Sequence, residues 1–177
     1  MINKGTKTIS TDRLILRAMT IDDADEILLG YRNQPEFLYY ANKKPINNED
    51  FLLELNNIIV HYQQQNYYNW VIVLKETNRI VGSINFKIME DNESALVSYA
   101  TDNRYTCHGY MTESLSAVIN YALHQLKLKN LLGGCATNNI ASRKVMEKCG
   151  MKYTHTVNNF LHLADGNYDM LMFKIEQ

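Results

Sequence analysis

The spacing of apolar and polar positions divides the first part of the chain into one strand and two helices. Leu14-Ile15-Leu16-Arg17 predicts the strand. Thr20, followed three residues later by Asp23, resembles a capping box and predicts a helix that runs to about residue 33. A second helix is predicted from Asn47 to about residue 64. The chain therefore opens in the order β-α-α.

The stretch from Tyr31 to Pro45, between these two helices, is predicted to be a loop. It contains both prolines of the chain and four aromatic side chains, Tyr31, Phe37, Tyr39 and Tyr40. Loop aromatics often cover the edge of a core, but they can also hold an ammonium group by cation–π contact. Both roles remain open for these residues.

Three strands follow in the middle of the chain. Trp70 to Leu74 is continuously apolar and Ile80 to Ile88 is rich in β-formers, with a short turn-like segment between them, which predicts an antiparallel hairpin. Trp70 is expected in the core. A second turn at residues 90–93 leads to a strand from Ala95 to Thr101.

The second half of the chain alternates helix and strand. From Thr112, apolar residues recur at intervals of three and four, which predicts an amphipathic helix lying across the sheet. A strand at residues 131–137 precedes a helix that starts near Asn139 and ends at Cys149-Gly150. The strands 152–163 and 168–175 are joined through an Asp-Gly hairpin turn. The pattern indicates a single α/β domain over residues 1–177.

Composition narrows the classes of partner. The 177 residues include 18 basic and 19 acidic side chains, with a formal net charge of -1, and the two signs alternate along the chain. No electrostatic field would attract nucleic acid. The N-terminus lacks the apolar core of a signal peptide, and no segment approaches the roughly 18 apolar residues of a membrane span. We therefore expect a cytoplasmic protein without a membrane partner.

The cysteines and histidines give no metal or disulfide pattern. Cys107, Cys135 and Cys149 are odd in number and match neither a disulfide framework nor a zinc site, so free thiols are expected. The five histidines show no close metal-ligand spacing, and no metal is predicted.

Two segments carry candidate chemistry. Residues 97–113 form a strand, a loop and a helix start, where unpaired N–H groups can bind a pyrophosphate; Gly109 permits close approach and Thr112 can cap the helix or donate to the anion. In the second segment, Asn139 and Ser142 share one side of a helix N-terminus. Taken alone, each segment is more typical of an ordinary helix cap or turn.

Four blocks in order resemble the GNAT acetyltransferases, and within them the RimJ/RimL-like group of ribosomal-protein N-terminal acetyltransferases. They are Thr11 to Arg17, Gly82-Ser83-Ile84, Cys107 to Glu113 and Asn139 to Met151. The resemblance implies the GNAT acyl-CoA N-acyltransferase fold, a mixed central sheet of about seven strands with four helices. It also implies N-acetyltransferase activity with acetyl-CoA as co-substrate, and a monomer or homodimer.

The resemblance implies a role for each matching position. Ala100 and Thr101 would bond the pantetheine arm, while Asn139 and Ser142 would contact that arm and the thioester. A primary amine, either a protein N-terminus or a small molecule, would attack the thioester directly in a ternary complex. The resemblance assigns no residues to the amine pocket; Tyr31, Tyr39 and Tyr40 of the aromatic segment are the candidates, because their rings can hold an ammonium group. The pyrophosphate would lie against the backbone of Cys107, His108, Gly109, Tyr110, Met111 and Thr112.

Two departures from the family pattern affect the mechanism. Cys107 replaces a glycine common in the group. Met146 stands where many members have a proton-donating tyrosine, which leaves Ser142 as the candidate acid. Glu113 is a possible base but also a natural partner for the helix dipole. Cys107 as an acyl-accepting nucleophile is a rival mechanism. A non-catalytic acyl-CoA-binding sensor and a protein-interaction domain are alternative functions.

Overall fold

The computed structural model describes residues 5–64 and 66–177, which form one mixed sheet with helices on both faces. The strand order is β1-β2-β3-β4-β5-β6-β8-β7, and every neighbouring pair is antiparallel except β5 and β6. The strands are β1 (Ile9–Ser10), β2 (Leu14–Arg17), β3 (Tyr67–Leu74), β4 (Arg79–Ile88), β5 (Ser94–Thr101), β6 (Asn130–Ala136), β7 (Lys152–Leu163) and β8 (Gly166–Glu176).

Five α-helices are found in this part of the chain. They are α1 (Ala24–Ile27), α2 (Pro35–Tyr40), α3 (Asn48–His61), α4 (Tyr110–Asn120) and α5 (Ile140–Lys148). A 3-10 turn precedes α1, and π-helical turns extend α1 and α4. The described residues thus contain the mixed sheet expected from the sequence, with one more strand and one more helix than the expected seven and four.

The sheet separates two hydrophobic cores. Trp70 and Ile72 of β3 point into the core beneath α4 and α5, whereas Val71 and Val73 point into the core beneath α1 and α3. Because both faces of β3 are covered, its sequence is apolar without alternation. Trp70 is fully buried, as predicted.

The predicted helix boundaries rest on the expected caps. Asp23 accepts a hydrogen bond from the Thr20 backbone N–H at 2.8 Å, completing the capping box. The Asn47 side chain accepts from the N–H of Asp50 at 2.9 Å and starts α3. Gly150, just after α5, has φ +82°, the left-handed conformation expected at that position.

The prediction of a loop from Tyr31 to Pro45 is wrong for residues 35–40, which form α2. Pro35 occupies the first turn of this helix, where its missing N–H leaves no bond unmade. Gln34 before it is extended, with ψ 144°, as a residue preceding proline prefers. The proline that suggested a loop therefore starts a short helix.

β1 was not predicted, because its two residues carry no periodic pattern. It adds to the sheet edge by pairing Ile9 with Leu16 and Ser10 with Ile15. Within the described residues, no helix is both long and apolar enough to cross a membrane.

Candidate active site

A gap opens in the middle of the sheet where two parallel strands diverge. β5 and β6 pair only from Ser94↔Asn130 to Val97↔Gly133. β5 continues to Thr101 and β6 to Ala136 without pairing to each other. The facing edges of this gap border a cleft of about 1040 Å³. Such a space is large enough for an extended ligand and offers it free backbone groups.

The loop from β5 to α4 lines this cleft. Cys107 and Gly109 have φ +63° and +78°, so the chain makes two left-handed steps before the helix. The first α-helical bond is from the N–H of Glu113 to the carbonyl of Gly109 at 3.0 Å. The amides of the first turn therefore precede the bonded part of the helix, and the helix dipole adds positive charge there. This arrangement fits a pyrophosphate.

The N-terminal segment holds this loop in place through Glu113. The Glu113 carboxylate accepts hydrogen bonds from the Thr11 hydroxyl at 2.5 Å and from the Arg13 backbone and guanidinium at 3.0 and 2.7 Å. Burial alone would raise the pKa of Glu113, but these bonds outweigh it and lower the pKa. An ionised, fully engaged carboxylate is a poor proton acceptor, so Glu113 is a structural anchor.

Arg13 also contacts the loop directly. Its guanidinium donates to the carbonyl of His108 at 3.0 Å and lies over the Tyr110 ring, 4.7 Å from its centroid. The His108 ring stacks on Tyr110 with a centroid distance of 5.5 Å. The N-terminal block, Thr11 to Arg17, thus holds the loop block, Cys107 to Glu113, in position.

The start of α5 brings a serine hydroxyl to the other side of the gap. Asn139 caps the helix by accepting from the N–H of Ser142 at 3.0 Å. The Ser142 Oγ lies 2.8 Å from the hydroxyl of Tyr99, which also donates to the Ser142 carbonyl at 3.0 Å. Burial raises the pKa of Tyr99, and the bond to Ser142 only partly offsets it. Met146 is buried in the core.

Residues of α2 also line the cleft. Tyr40 and Phe37 line the cleft, while Tyr31 is buried at its floor. The Tyr39 hydroxyl donates to Asp165, in the turn between β7 and β8, at 2.6 Å. That bond lowers the pKa of Asp165. α2 is therefore fastened across the sheet to the last hairpin.

Neutral polar side chains cover the sheet beneath α3. Asn69, Asn85 and Ser98 are direct cross-strand neighbours on β3, β4 and β5, and all three line the cleft. Asn69 is buried, and its Oδ1 has no hydrogen-bond partner among the residues that the structure describes. Among the charged residues that line the cleft, Glu54 is bound to Arg32 at 2.9 Å and to Lys43 at 2.5 Å.

A family model for the acetyltransferase (GNAT) domain matches residues 13–152. The chain belongs to the GNAT acetyltransferases. Its activity is the acetyl-CoA-dependent transfer of an acetyl group to an amine. The GNAT resemblance drawn from the four sequence blocks is confirmed.

Relatives of this GNAT protein cover nearly all of it. It is 24% identical over 168 residues to the uncharacterized N-acetyltransferase YoaA of Bacillus subtilis, spanning 94% of this chain and 95% of YoaA. A GNAT-family acetyltransferase from Bacillus anthracis superposes with a TM-score of 0.85 at 21% identity, over 96% and 98% of the two chains. RimL, a ribosomal L7/L12 α-N-protein acetyltransferase solved with coenzyme A, superposes at 0.81 and 18% identity, over 96% and 98%.

Most of the residues that the sequence singled out border the GNAT cleft. His108 and Tyr39 are the exceptions: the His108 ring faces Tyr110, and the Tyr39 hydroxyl is held by Asp165. Those at the cleft are Tyr31, Tyr40, Ala100, Thr101, Cys107, Gly109, Tyr110, Met111, Thr112, Asn139 and Ser142.

Tyr99 lines the GNAT cleft and bonds Ser142, although the sequence analysis did not single it out. It lies 43 positions from Ser142 along the chain, so no local spacing connects them. The usable signal was strand alternation, which puts Tyr99 on the same face as Val97, toward α4 and α5.

The three cysteines of this GNAT protein are free thiols. Cys107 is exposed in the loop. Burial raises the pKa of Cys135 to about 11 and also raises that of Cys149, whose Sγ donates to the Thr112 carbonyl at 3.3 Å. The thiols of Cys135 and Cys149 are therefore neutral at physiological pH. No group of His, Cys, Asp or Glu within the described residues could hold a metal ion.

Proposed function

We propose that acetyl-CoA binds in the gap between β5 and β6, with its pyrophosphate on the amides from Cys107 to Thr112. The observation that supports this placement is the end of the β5–β6 ladder at Val97 beside a left-handed loop and a helix N-terminus. The pantetheine arm replaces the missing strand partner along Ala100 and Thr101. Asn139 and Ser142 then contact the arm and the thioester from α5.

The acceptor is a primary amine that reaches the thioester from the side of α2 and α3. Tyr31 and Tyr40 line this entrance, and Tyr39 holds α2 in position by its bond to Asp165. Direct attack in a ternary complex requires the ammonium form to lose a proton first. The row of Asn69, Asn85 and Ser98 supplies hydrogen-bonding groups for water that carries this proton away.

Both a protein N-terminus and a small molecule satisfy this arrangement. RimL acts on a ribosomal protein, and the cleft of this chain has uncharged polar groups suited to either acceptor. The reaction belongs in the cytoplasm, where acetyl-CoA is available. Positioning of the two reactants supplies most of the rate.

The experiment is thermal unfolding with and without acetyl-CoA, followed by a screen for amine-dependent release of free CoA thiol. At about 100 times Kd the ligand stabilises the folded state by roughly 2.7 kcal/mol, a shift on the order of 5–10 °C. Acetyl-pantetheine, which lacks the pyrophosphate, serves as control and is expected to shift unfolding less.

The outcomes separate the candidate functions. Stabilisation by acetyl-CoA with amine-dependent thiol release supports the proposal. Stabilisation without release across peptide and small amines would favour a non-catalytic sensor, a reading to which the apolar Met146 and the cysteine at position 107 lend some support. No stabilisation at millimolar acetyl-CoA would overturn both and favour an interaction domain.

A further inference from the structure

The hydroxyls of Tyr99 and Ser142 are hydrogen-bonded to each other in the gap between β5 and β6. Tyr99 on β5 and Ser142 on α5 lie on opposite sides of the splay, and their oxygens are 2.8 Å apart. The Tyr99 hydroxyl is also 3.0 Å from the Ser142 carbonyl. This is a direct side-chain link across the place where the sheet lacks backbone bonds.

The proton count of this unit allows two arrangements. In one, Tyr99 donates to the Ser142 carbonyl and accepts the Ser142 hydroxyl proton. In the other, Tyr99 donates to Ser142 Oγ, which frees the Ser142 proton to point into the cleft. The second is favoured when negative charge develops beside Ser142, because hydrogen bonds in a chain polarise one another.

We infer that Tyr99 is a positioning residue that orients the Ser142 hydroxyl so that the pair donates a hydrogen bond to the departing coenzyme A thiolate. The inference rests on the proposed binding mode of acetyl-CoA. It assigns to Tyr99 and Ser142 the stabilisation of the leaving thiolate, which the apolar Met146 cannot provide. Ser142 touches the sulfur, and Tyr99 acts only through Ser142.

The surroundings of the pair favour hydrogen bonding over full proton transfer. Burial makes Tyr99 a weaker acid than an ordinary tyrosine, and the nearby Cys135 and Cys149 thiols are neutral. In the reaction the C–N bond forms, the C–S bond breaks and its electron pair stays on sulfur. The amine proton leaves to water, so neither hydroxyl is consumed. The positive end of α5 adds to the stabilisation of the anion.

The test measures the thiol pKa of coenzyme A bound to the intact protein, which requires no acceptor. Thiolate absorbance is recorded against pH as the difference between protein with and without CoA. We expect binding to the unsubstituted protein to lower the thiol pKa by about 1, the size of one charge-assisted hydrogen bond. Ser142→Ala abolishes this decrease and Tyr99→Phe removes most of it.

Two further variants make the result specific. Tyr153→Phe, an identical change at an exposed position on β7, is expected to leave the bound thiol unchanged. In the Ser142→Ala background, adding Tyr99→Phe is expected to have no further effect, because Tyr99 has lost the group it orients. Thermal unfolding verifies that each variant is folded.

The outcomes distinguish this inference from the proposed function. A bound thiol pKa that is the same in the unsubstituted protein and Tyr99→Phe, with CoA demonstrably bound, would overturn the role of Tyr99 alone. Failure of CoA to bind the unsubstituted protein would overturn the proposed function and this inference together. An additive double variant would also contradict it, because it would show that Tyr99 acts independently of Ser142.

Discussion

The carboxylate of Glu113 accepts hydrogen bonds from both the backbone and the side chain of Arg13, at 3.0 and 2.7 Å, across 100 positions of sequence. Arg13 belongs to the strand-entry block and Glu113 to the first turn of α4, beside the proposed phosphate site. The pairing explains why an N-terminal Thr-Asp-Arg segment accompanies a distant loop block in this chain. Because Arg13 does not line the cleft, its substitution can test the role of the loop in acetyl-CoA binding without altering a cleft residue.

Replacing Arg13 with alanine should weaken acetyl-CoA binding. The change removes the contacts to Glu113, to the His108 carbonyl and to the Tyr110 ring. Because the Arg13 side chain is 47% exposed, we expect a modest effect, about a fivefold rise in Kd or ~1 kcal/mol. Titration calorimetry measures it. Arg79→Ala, whose exposed pair with Glu26 is at 3.5 Å, is the matched control; an equal loss there would contradict a specific brace.

Position 107 should respond to backbone preference rather than to thiol chemistry. Its φ of +63° is easy for glycine and costly for a β-branched residue. Cys107→Gly is expected to retain acetyl-CoA affinity, whereas Cys107→Val destabilises the loop by about 1–2 kcal/mol and raises Kd. Cys107→Ala should keep turnover within about a factor of two. Loss of turnover in Cys107→Ala with acetyl-CoA binding intact would instead establish a covalent route.

Removing the bond between Tyr39 and Asp165 should affect the acceptor more than acetyl-CoA. In Tyr39→Phe the ring remains but the 2.6 Å bond that fastens α2 to the last hairpin is lost. We expect the acceptor KM to rise about threefold with little change in the acetyl-CoA KM. Steady-state kinetics with each substrate varied separately gives both values. Equal changes in the two KM values would indicate that the bond only supports the fold.

Acid should weaken the fold partly through Asp23. Burial opposes ionisation of this carboxyl, but the two 2.7 Å bonds from Arg17 and those from Thr20 hold its pKa below the usual value. A lowered folded pKa means that the stabilisation is complete at neutral pH and is lost as pH falls from about 4 through the folded value. The melting temperature of the unsubstituted protein should drop in this range.

Asp23→Asn tests this contribution. It should lose about 2 kcal/mol at neutral pH, equivalent to roughly 4–8 °C, and its melting temperature should vary less with pH below about 4. Asp22→Asn, at the exposed neighbouring position, provides the comparison. If the two variants have the same melting temperatures and pH dependence, the ion pair of Arg17 and Asp23 does not contribute measurably to stability.

The sequence was most informative where burial or helix capping leaves a local signal in the residue pattern. β3 could be recognised because both of its faces are covered, and the start of α3 could be recognised from Asn47. Two features of the fold gave no such signal. β1 is too short to show alternation, and a proline such as Pro35 suits the first turn of a helix as well as a loop.

The candidate site divides in the same way. The residues from Cys107 to Thr112 are contiguous and could be grouped by reading along the chain. Tyr99 and Ser142 meet only because β5 and β6 diverge and α5 packs beside the opening. Such contacts depend on the three-dimensional path of the chain, which no local pattern encodes.

The divergence of β5 and β6 also has a consequence for solubility. An unpaired strand edge on the outside of a protein is a template on which another chain can add a strand. Here β5 from Ser98 to Thr101 is paired with β4 but lacks a partner on its β6 side, so the open edge lies inside the sheet, and the hydroxyls of Tyr99 and Ser142 span its opening. Backbone hydrogen-bonding groups at this edge can therefore bind a narrow ligand. Because the edge lies inside the sheet, it is not a template for strand addition by another copy of the protein.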